Sequence, residues 1–130
     1  MEKKKIIVLG SAGNLGMYFM DYLNDNLDLK KYEVIATGTK DEYPYEFYKG
    51  KYIKVDITKN EDFEKLPKEN IHAVVDFAGI LPAYLKRDDP NKYIDVNIKG
   101  TLNVLNYCEI GKSTRLNSSH TDSSRMPSSA

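Results

Sequence analysis

The sequence predicts an α/β fold in which a doubly wound parallel sheet of about four strands is flanked by helices. Three observations predict it: apolar runs rich in branched side chains, a glycine-rich turn after the first run, and alternation of strands with helices. An apolar run without polar alternation is typical of a strand buried on both faces, as in parallel sheets. The chain has 130 residues, of which 41% are hydrophobic, and this suits one folded domain.

The first strand and the helix after it form the first unit. Residues 5–9 are a short apolar run closed by Gly10, which predicts a buried strand. From Asn14 a four-residue spacing of apolar side chains predicts a helix whose buried stripe is Leu15, Phe19, Leu23 and Leu27. Further strands are predicted at residues 32–37, 52–55 and 73–77, and a polar helix at residues 59–66.

A last helix is predicted to begin at Asp89-Pro90. Asp caps the free amide groups at the start of a helix, and Pro suits the first turn, where no donor is needed. Helical spacing then continues through Tyr93, Val96, Gly100, Val104 and Cys108.

The turn between the first strand and the first helix contains three glycines, Gly10, Gly13 and Gly16. In a dinucleotide site the first glycine permits a tight turn, the second lets pyrophosphate approach the backbone, and the third lets helix and strand pack closely. The helix N-terminus then favours the anion. No Gly-Lys-Ser/Thr follows at the spacing of a phosphate-hydrolysing enzyme. The turn therefore predicts a dinucleotide site.

This glycine turn resembles that of the extended short-chain dehydrogenases/reductases, the NAD-dependent epimerase and dehydratase group that contains UDP-glucose epimerase. Further segments match in order along residues 5–108. They are Val55-Asp56-Ile57 after the third strand, Asp76-Phe77-Ala78-Gly79 after the fourth, and a helix with Asp89, Pro90, Tyr93, Asn97, Gly100, Thr101, Asn103 and Leu105.

The resemblance implies a Rossmann-type sheet with the strand order 3-2-1-4 and an NADP or NAD cofactor. It implies that Asp56 hydrogen-bonds the adenine ring and that the turn after the fourth strand lies against the ribose and pyrophosphate. It also implies hydride transfer on a nucleotide-linked sugar, ending in epimerisation, dehydration or reduction. The cofactor-binding residues are then Gly10, Ser11, Ala12, Gly13, Asn14, Leu15, Gly16, Thr39, Lys40, Asp56, Ile57, Phe77, Ala78, Gly79 and Asn97.

Several of these residues have a purely structural alternative. Asp56 has the residue type that caps a following helix. Asn97 and Gly100 are also explained by close helix packing, and Gly79 by a plain turn. The sequence leaves these alternatives open.

The end of the second strand departs from the NAD-binding pattern. That pattern places an acid there to bind the ribose hydroxyls, but the expected position falls on Gly38. Without the acid a 2′-phosphate is not repelled, and Thr39 and Lys40 are able to donate to it. The sequence therefore favours NADP over NAD, with Asp41 as an alternative acid that would restore NAD binding.

No catalytic residue is assigned. The resembled family uses a Tyr-x-x-x-Lys pair, in which the charged lysine lowers the pKa of the tyrosine. The spacing occurs here at Tyr45 and Lys49, between the second and third strands and far from the expected nicotinamide end. Two functions stay open: the cofactor-binding part of an enzyme, inactive in this form, or a noncatalytic NADP-binding redox sensor or regulator. A downstream Tyr-x-x-x-Lys would distinguish them.

The composition changes after Cys108. Residues 112–130 contain seven serines, and residues 112–120 resemble one reading frame of a common sequencing adaptor. Residues 124–130 resemble the next constant block of that adaptor. We expect a partial cofactor-binding domain over residues 1–108, and a non-native, disordered tail over residues 109–130.

Charge and composition argue against several other functions. Nineteen basic and nineteen acidic side chains cancel, so nucleic acid and anionic membranes are not expected partners. His72 and His120 stand far apart without ligand-spaced neighbours, so no metal site is predicted. A single cysteine and the absence of a long apolar segment favour a cytoplasmic protein. The resemblance implies that the parent enzyme forms a homodimer.

Overall fold

A parallel sheet forms the centre of the molecule in the computed structural model, which describes residues 2–79, 90–111 and 116–118. Its strands are β1 (Lys4–Leu9), β2 (Tyr32–Gly38), β3 (Lys51–Lys54), β4 (Ile71–Asp76) and β5 (Leu116–Ser118). Their spatial order is β3-β2-β1-β4-β5, and every adjacent pair is parallel. The predicted α/β class and the order 3-2-1-4 are confirmed.

The helices follow the predicted alternation, with two differences in type. They are α1 (Asn14–Asn26), a 3₁₀ helix (Asn60–Lys65), and a continuous helical stretch made of α2 (Pro90–Tyr93), a π-helical segment (Ile94–Gly100) and α3 (Thr101–Gly111). The polar helix predicted at residues 59–66 is thus a short 3₁₀ helix, and the π-helical segment was not predicted. The predicted cap Asp89 lies outside the described residues.

Strand β1 is buried on both faces. Ile7 and Leu9 pack in one apolar cluster with Val104 of α3, whereas Ile6 and Val8 pack in a second cluster against α1. Each fully buried aliphatic side chain of this kind contributes roughly 1.5–3 kcal/mol. The continuous apolar run of β1 therefore follows from its central place in the sheet.

The predicted buried stripe of α1 is wrong at Leu15, whose side chain is 61% exposed. The residues of α1 that are buried are Gly16, Met20 and Leu23. Gly16 faces the carbonyl of Gly10, and this close approach sets which side of the helix meets the sheet. A count of apolar side chains misses it, because glycine has no side chain to count.

Strand β5 lies in the segment that was expected to be disordered. Leu116 pairs with Val74 and Ser118 with Asp76, so the strand extends the sheet at the outer edge of β4. Backbone N–H and C=O groups on a strand edge pair with any extended segment, whatever its side chains. The hydrophobic pattern did not indicate this strand because Leu116 is its single apolar residue.

Candidate functional site

A cavity of about 610 Å³ opens beyond the carboxyl ends of the strands. Its walls come from the turns after β1, β2, β3 and β4 and from the start of the last helical stretch. β1 lies between β2 and β4. After β1 the chain adds strands on one side of the sheet, and after β3 it adds them on the other side. Open parallel sheets bind ligands at such a point.

The cavity gathers most of the predicted site residues. The predicted residues that line it are Gly10, Ala12, Gly13, Thr39, Lys40, Asp56, Ile57, Phe77, Ala78 and Gly79. The predicted residues Ser11, Asn14, Leu15, Gly16 and Asn97 are not among the lining residues.

Gly10 is required by the packing of the turn itself. Its φ is +70°, a conformation that residues with a Cβ rarely adopt. A Cβ at this position would also lie 2.5 Å from the backbone nitrogen of Ala78. The turns after β1 and β4 thus approach each other closely on one side of the cavity.

Gly16 is also required by packing. A Cβ there would overlap the carbonyl oxygen of Gly10 and lie 2.9 Å from the Cα of Ser11. The contact places α1 directly against the turn. Gly16 therefore acts indirectly, by bringing the helix N-terminus to the cavity.

Gly13 differs from both, because the fold does not require a glycine there. Its φ of −74° and ψ of 179° suit any residue. Within the described structure, an added Cβ would meet the Gly10 carbonyl oxygen at 3.7 Å, which is an ordinary contact. Gly13 lines the cavity, so the space beside it is available to a ligand.

The N-terminus of α1 is suited to an anion. Gly13 is its N-cap and supplies no side-chain cap, and the first turn contains no acidic residue. The first amide groups of a helix have no partner within the helix, and the dipole adds partial positive charge. Gly13 and this helix end together form a cradle that fits a pyrophosphate.

Ser11 braces the turn from behind. Its hydroxyl donates to the Thr37 carbonyl at 2.7 Å, and its backbone N–H donates to the same oxygen at 3.0 Å. The Tyr43 hydroxyl donates to the Ser11 carbonyl at 3.1 Å. The fully buried Ser11 side chain is therefore directed into the protein and supports the residues that line the cavity.

Asp56 lines the cavity and also caps a turn. One oxygen of its carboxylate accepts hydrogen bonds from the Thr58 N–H at 3.0 Å and the Thr58 hydroxyl at 2.7 Å. The Asp56 N–H donates to a carboxylate oxygen of Asp62 at 2.9 Å. Asp56 therefore caps its own turn and not the 3₁₀ helix that follows, whose N-cap is Lys59, so the helix-capping alternative is wrong.

The last helical stretch is tied to the segment after β3. The Asn103 side-chain amide donates to the Ile57 carbonyl at 2.8 Å, and a Cβ on Gly100 would lie 2.6 Å from the Cδ1 of Ile57. Gly100 thus permits close packing, as its structural alternative proposed. The Asn97 carbonyl accepts a hydrogen bond from the Thr101 hydroxyl at 2.9 Å.

The end of β2 presents a lysine to the cavity. Gly38, Thr39 and Lys40 line the wall. The Asp41 carboxylate lies 2.8 Å from the Lys54 ammonium, which holds the pKa of Asp41 below its usual value. Asp41 is not among the residues that line the cavity, so the alternative acid is engaged elsewhere in this structure.

Sequence analysis missed several lining residues. They are Val55, Thr58, Lys92, Asp95 and Val96, together with Gly38. Gly38 was identified only as the place where an NAD-binding protein has an acid, and not as a residue that lines the site. The Asp-x-Thr pattern of an Asx turn was a signal for Thr58. Asp95 and Val96 lie in the π-helical segment; Val96 belongs to the predicted helical stripe, which was not predicted to line the site.

Tyr45 and Lys49 are not among the residues that line the cavity. The Tyr45 ring packs against Tyr43 and Phe47, and Lys49 is exposed. The geometry gives this pair no contact with the site.

In the part of the chain that the structure describes, we find no helix long and apolar enough to cross a membrane.

Comparison with known proteins gives the same family over nearly the whole chain. Residues 6–125 match the model of the NAD dependent epimerase/dehydratase family. UDP-glucose 4-epimerase from Pisum sativum is 31% identical over 79% of this chain and 32% of its own length. The chain thus spans about a third of the length of the first curated relatives that it matches.

Solved structures share the fold. A monomeric L-threonine 3-dehydrogenase from a metagenome, in its apo form, is 30% identical with a TM-score of 0.69, covering 85% of this chain and 34% of that one. The UDP-glucose 4-epimerase of Thermus thermophilus, solved with NAD, has a TM-score of 0.67 at 22% identity, covering 86% of this chain and 36% of that one. With the glycine turn, the strand order and the cavity, these findings show that the chain belongs to the NAD dependent epimerase/dehydratase family.

Proposed function

We propose that the chain binds NADP, and NAD more weakly, as the cofactor-binding part of a nucleotide-sugar epimerase, dehydratase or reductase. The observation that carries this proposal is Gly13, a glycine that the packing does not require, at the uncapped N-terminus of α1. Such a glycine is explained by a ligand that needs the space.

Each wall of the cavity has a part in this binding. The pyrophosphate lies against Gly13 and the helix end, and the adenine against Asp56 and Ile57. Ala78 and Gly79 accommodate the ribose on the side towards β4. The bound nicotinamide supplies hydride transfer, and the protein supplies its binding and orientation.

The preference for NADP rests on the end of β2. Lys40 contributes a cation to the wall, and Gly38 stands where an NAD-binding enzyme has an acid. A lysine or arginine near the ribose accommodates the 2′-phosphate through charge-assisted hydrogen bonds.

The substrate and partner proposals rest on the relatives. A nucleotide-linked sugar is proposed because UDP-glucose 4-epimerases are among them. For the parent protein we propose a homodimer, and exposed apolar side chains at Ile98, Leu102 and Leu105 support it. We infer a cytoplasmic location from the single cysteine.

We also propose that residues 109–130 are not native and that the catalytic Tyr-x-x-x-Lys pair follows in the intact gene. The resemblance of residues 112–120 and 124–130 to adaptor blocks supports this. Resequencing the locus past the codon of Cys108 tests it. A gene that continues through the same serine-rich codons would contradict it.

The cofactor proposal is tested by titrating NADPH and NADH into the protein and following nicotinamide fluorescence. We expect saturable binding of both, tighter for NADPH. Lys40→Ala should weaken NADPH binding roughly tenfold and leave NADH binding nearly unchanged, since one charge-assisted hydrogen bond is lost.

Lys49→Ala is the matched control, because Lys49 is an exposed lysine of the same segment that does not line the cavity. It should leave both affinities unchanged. A folded protein that binds neither dinucleotide would refute the proposed function, and equal affinities would refute the preference.

A further inference from the structure

We propose that Tyr52 of β3 determines the preference of this site for a 2′-phosphorylated dinucleotide. The inference deepens the proposed function and rests on it. A single oxygen atom, the Tyr52 hydroxyl, crowds any side chain at position 38 and holds the backbone of Lys40 by a hydrogen bond.

The Tyr52 side chain limits the space beside Gly38. A Cβ on Gly38 would lie 3.0 Å from the Tyr52 hydroxyl oxygen, closer than an ordinary contact. The ring atoms Cε1 and Cζ of Tyr52 would lie at 3.8 Å, which is an ordinary contact. The hydroxyl, and not the ring, is therefore the group that a side chain at position 38 would have to displace by a few tenths of an ångström.

The Tyr52 hydroxyl also makes a hydrogen bond. It donates to the Lys40 carbonyl at 2.7 Å. Burial raises the pKa of Tyr52 above its ordinary value, so the group stays protonated and remains a donor at neutral pH. The backbone at Lys40, whose side chain lines the cavity, is thus held by the neighbouring strand.

The acid nearest to the end of β2 is Asp41. Asp41 is bound at 2.8 Å by Lys54, which also belongs to β3 and lies on the same face of the strand as Tyr52. Two residues of β3 therefore act on the end of β2. Tyr52 crowds a side chain at position 38, and Lys54 pairs with the acid at position 41.

These contacts define the chemistry that the wall recognises. Lys40 and Thr39, a residue with a cationic side chain and one with a hydroxyl, line the wall, and the acid position of NAD-binding enzymes is crowded by Tyr52. A monoester phosphate on the adenosine ribose fits this combination. A ribose with a free 2′-hydroxyl finds no carboxylate partner at position 38.

The closing experiment compares the ratio of the dissociation constants for NADH and NADPH in the wild type, Tyr52→Phe and Tyr48→Phe. Tyr52→Phe removes only the hydroxyl, and we expect the preference for NADPH to fall roughly three- to tenfold, the effect of one hydrogen bond. Tyr48→Phe is the matched control. The Tyr48 hydroxyl lies within hydrogen-bond distance of the carbonyls of Val34 and Lys51, to one of which it donates, and it makes no hydrogen bond to Lys40, so the ratio should not change.

The ratio separates positioning from general damage, because loss of structure weakens both dinucleotides together. A Tyr52→Phe protein that binds both dinucleotides with the wild-type ratio would overturn the role of Tyr52 and leave the proposed function standing. A wild type that binds neither would overturn both.

A double-mutant cycle tests the contact without any ligand. Gly38→Ala should destabilise the wild type against urea, and the destabilisation should shrink in the Tyr52→Phe background, where the hydroxyl is gone. Equal destabilisation in the two backgrounds would show that the hydroxyl does not restrict position 38, and the inference would fail.

Discussion

The glycine turn over residues 10–16 and the end of β2 over residues 38–41 form two walls of one cavity, yet backbone atoms constrain Gly10 and Gly16 in the first wall, whereas a side chain constrains Gly38 in the second. Gly10 and Gly16 are fixed by contacts with each other and with the turn after β4. Gly38 is fixed by the hydroxyl of Tyr52 on the neighbouring strand. A pattern of spacing reveals the first kind of constraint and is silent on the second.

The largest effect is expected where packing requires glycine. Gly16→Val should destabilise the protein by at least ~3 kcal/mol, because the Cβ overlaps the backbone of Gly10 and Ser11, which has no room to move. Urea denaturation followed by circular dichroism measures it. A variant as stable as the wild type would contradict the account of this turn.

A smaller effect is expected at the brace behind the turn. Ser11→Ala removes a buried hydrogen bond to the Thr37 carbonyl, which keeps its bond from the Ser11 N–H. The free energy of unfolding should fall by about 0.5–1.5 kcal/mol. The ratio of NADH to NADPH affinity should stay the same, since the Ser11 N–H still holds the Thr37 carbonyl near the end of β2. A changed ratio would mean that the two walls are coupled.

Tyr43 and Tyr48, which follow β2 in the chain, should lower the stability of the fold at high pH, an effect that the glycine turn does not have. Burial raises the pKa of Tyr43 and of Tyr48 to about 12. A raised pKa in the folded state stabilises the fold below the ordinary value of 10, and this contribution is lost as pH rises from 10 towards 12. Melting temperatures measured across this range should fall.

The fall should be shallower in Tyr48→Phe than in Tyr18→Phe, because Tyr18 is 67% exposed. Equal slopes in these two variants would remove the tyrosine explanation.

The smallest effect is expected at the exposed ion pair. Asp41→Asn should leave NADH and NADPH binding unchanged, because the carboxylate is paired with Lys54 and does not line the cavity. A loss of NADH affinity alone, measured by the same titration, would show that Asp41 turns into the site and acts as the ribose acid.

The sequence predicted most of the fold, because β1, the turn and the strand alternation leave local signals. The predicted strand order holds for the first four strands, and the cavity brings together residues from four separate motifs. Leu15 was placed on the buried stripe because the stripe was taken from apolar side chains alone, although the glycine turn had already indicated that Gly16 packs against the strand.

The rest of the site depends on neighbours that a linear pattern does not show. The Tyr52 hydroxyl crowds Gly38 from the neighbouring strand, and the Asn103 side chain donates to the Ile57 carbonyl from the last helical stretch. Strand β5 pairs through its backbone, so its polar residues gave no signal. The last helical stretch contributes Lys92, Asp95 and Val96 to the cavity, whereas the resemblance had indicated Asn97.

The most direct test of the central claim is the affinity of NADPH for Gly13→Val, measured beside its stability. Since a Cβ fits at this position, we expect a folded protein whose free energy of unfolding lies within about 1.5 kcal/mol of the wild type, the cost of an aliphatic residue at the N-cap. Its NADPH affinity should fall by at least roughly a hundredfold, because the valine side chain occupies the space of the pyrophosphate. A folded Gly13→Val protein that binds NADPH as tightly as the wild type would contradict the account.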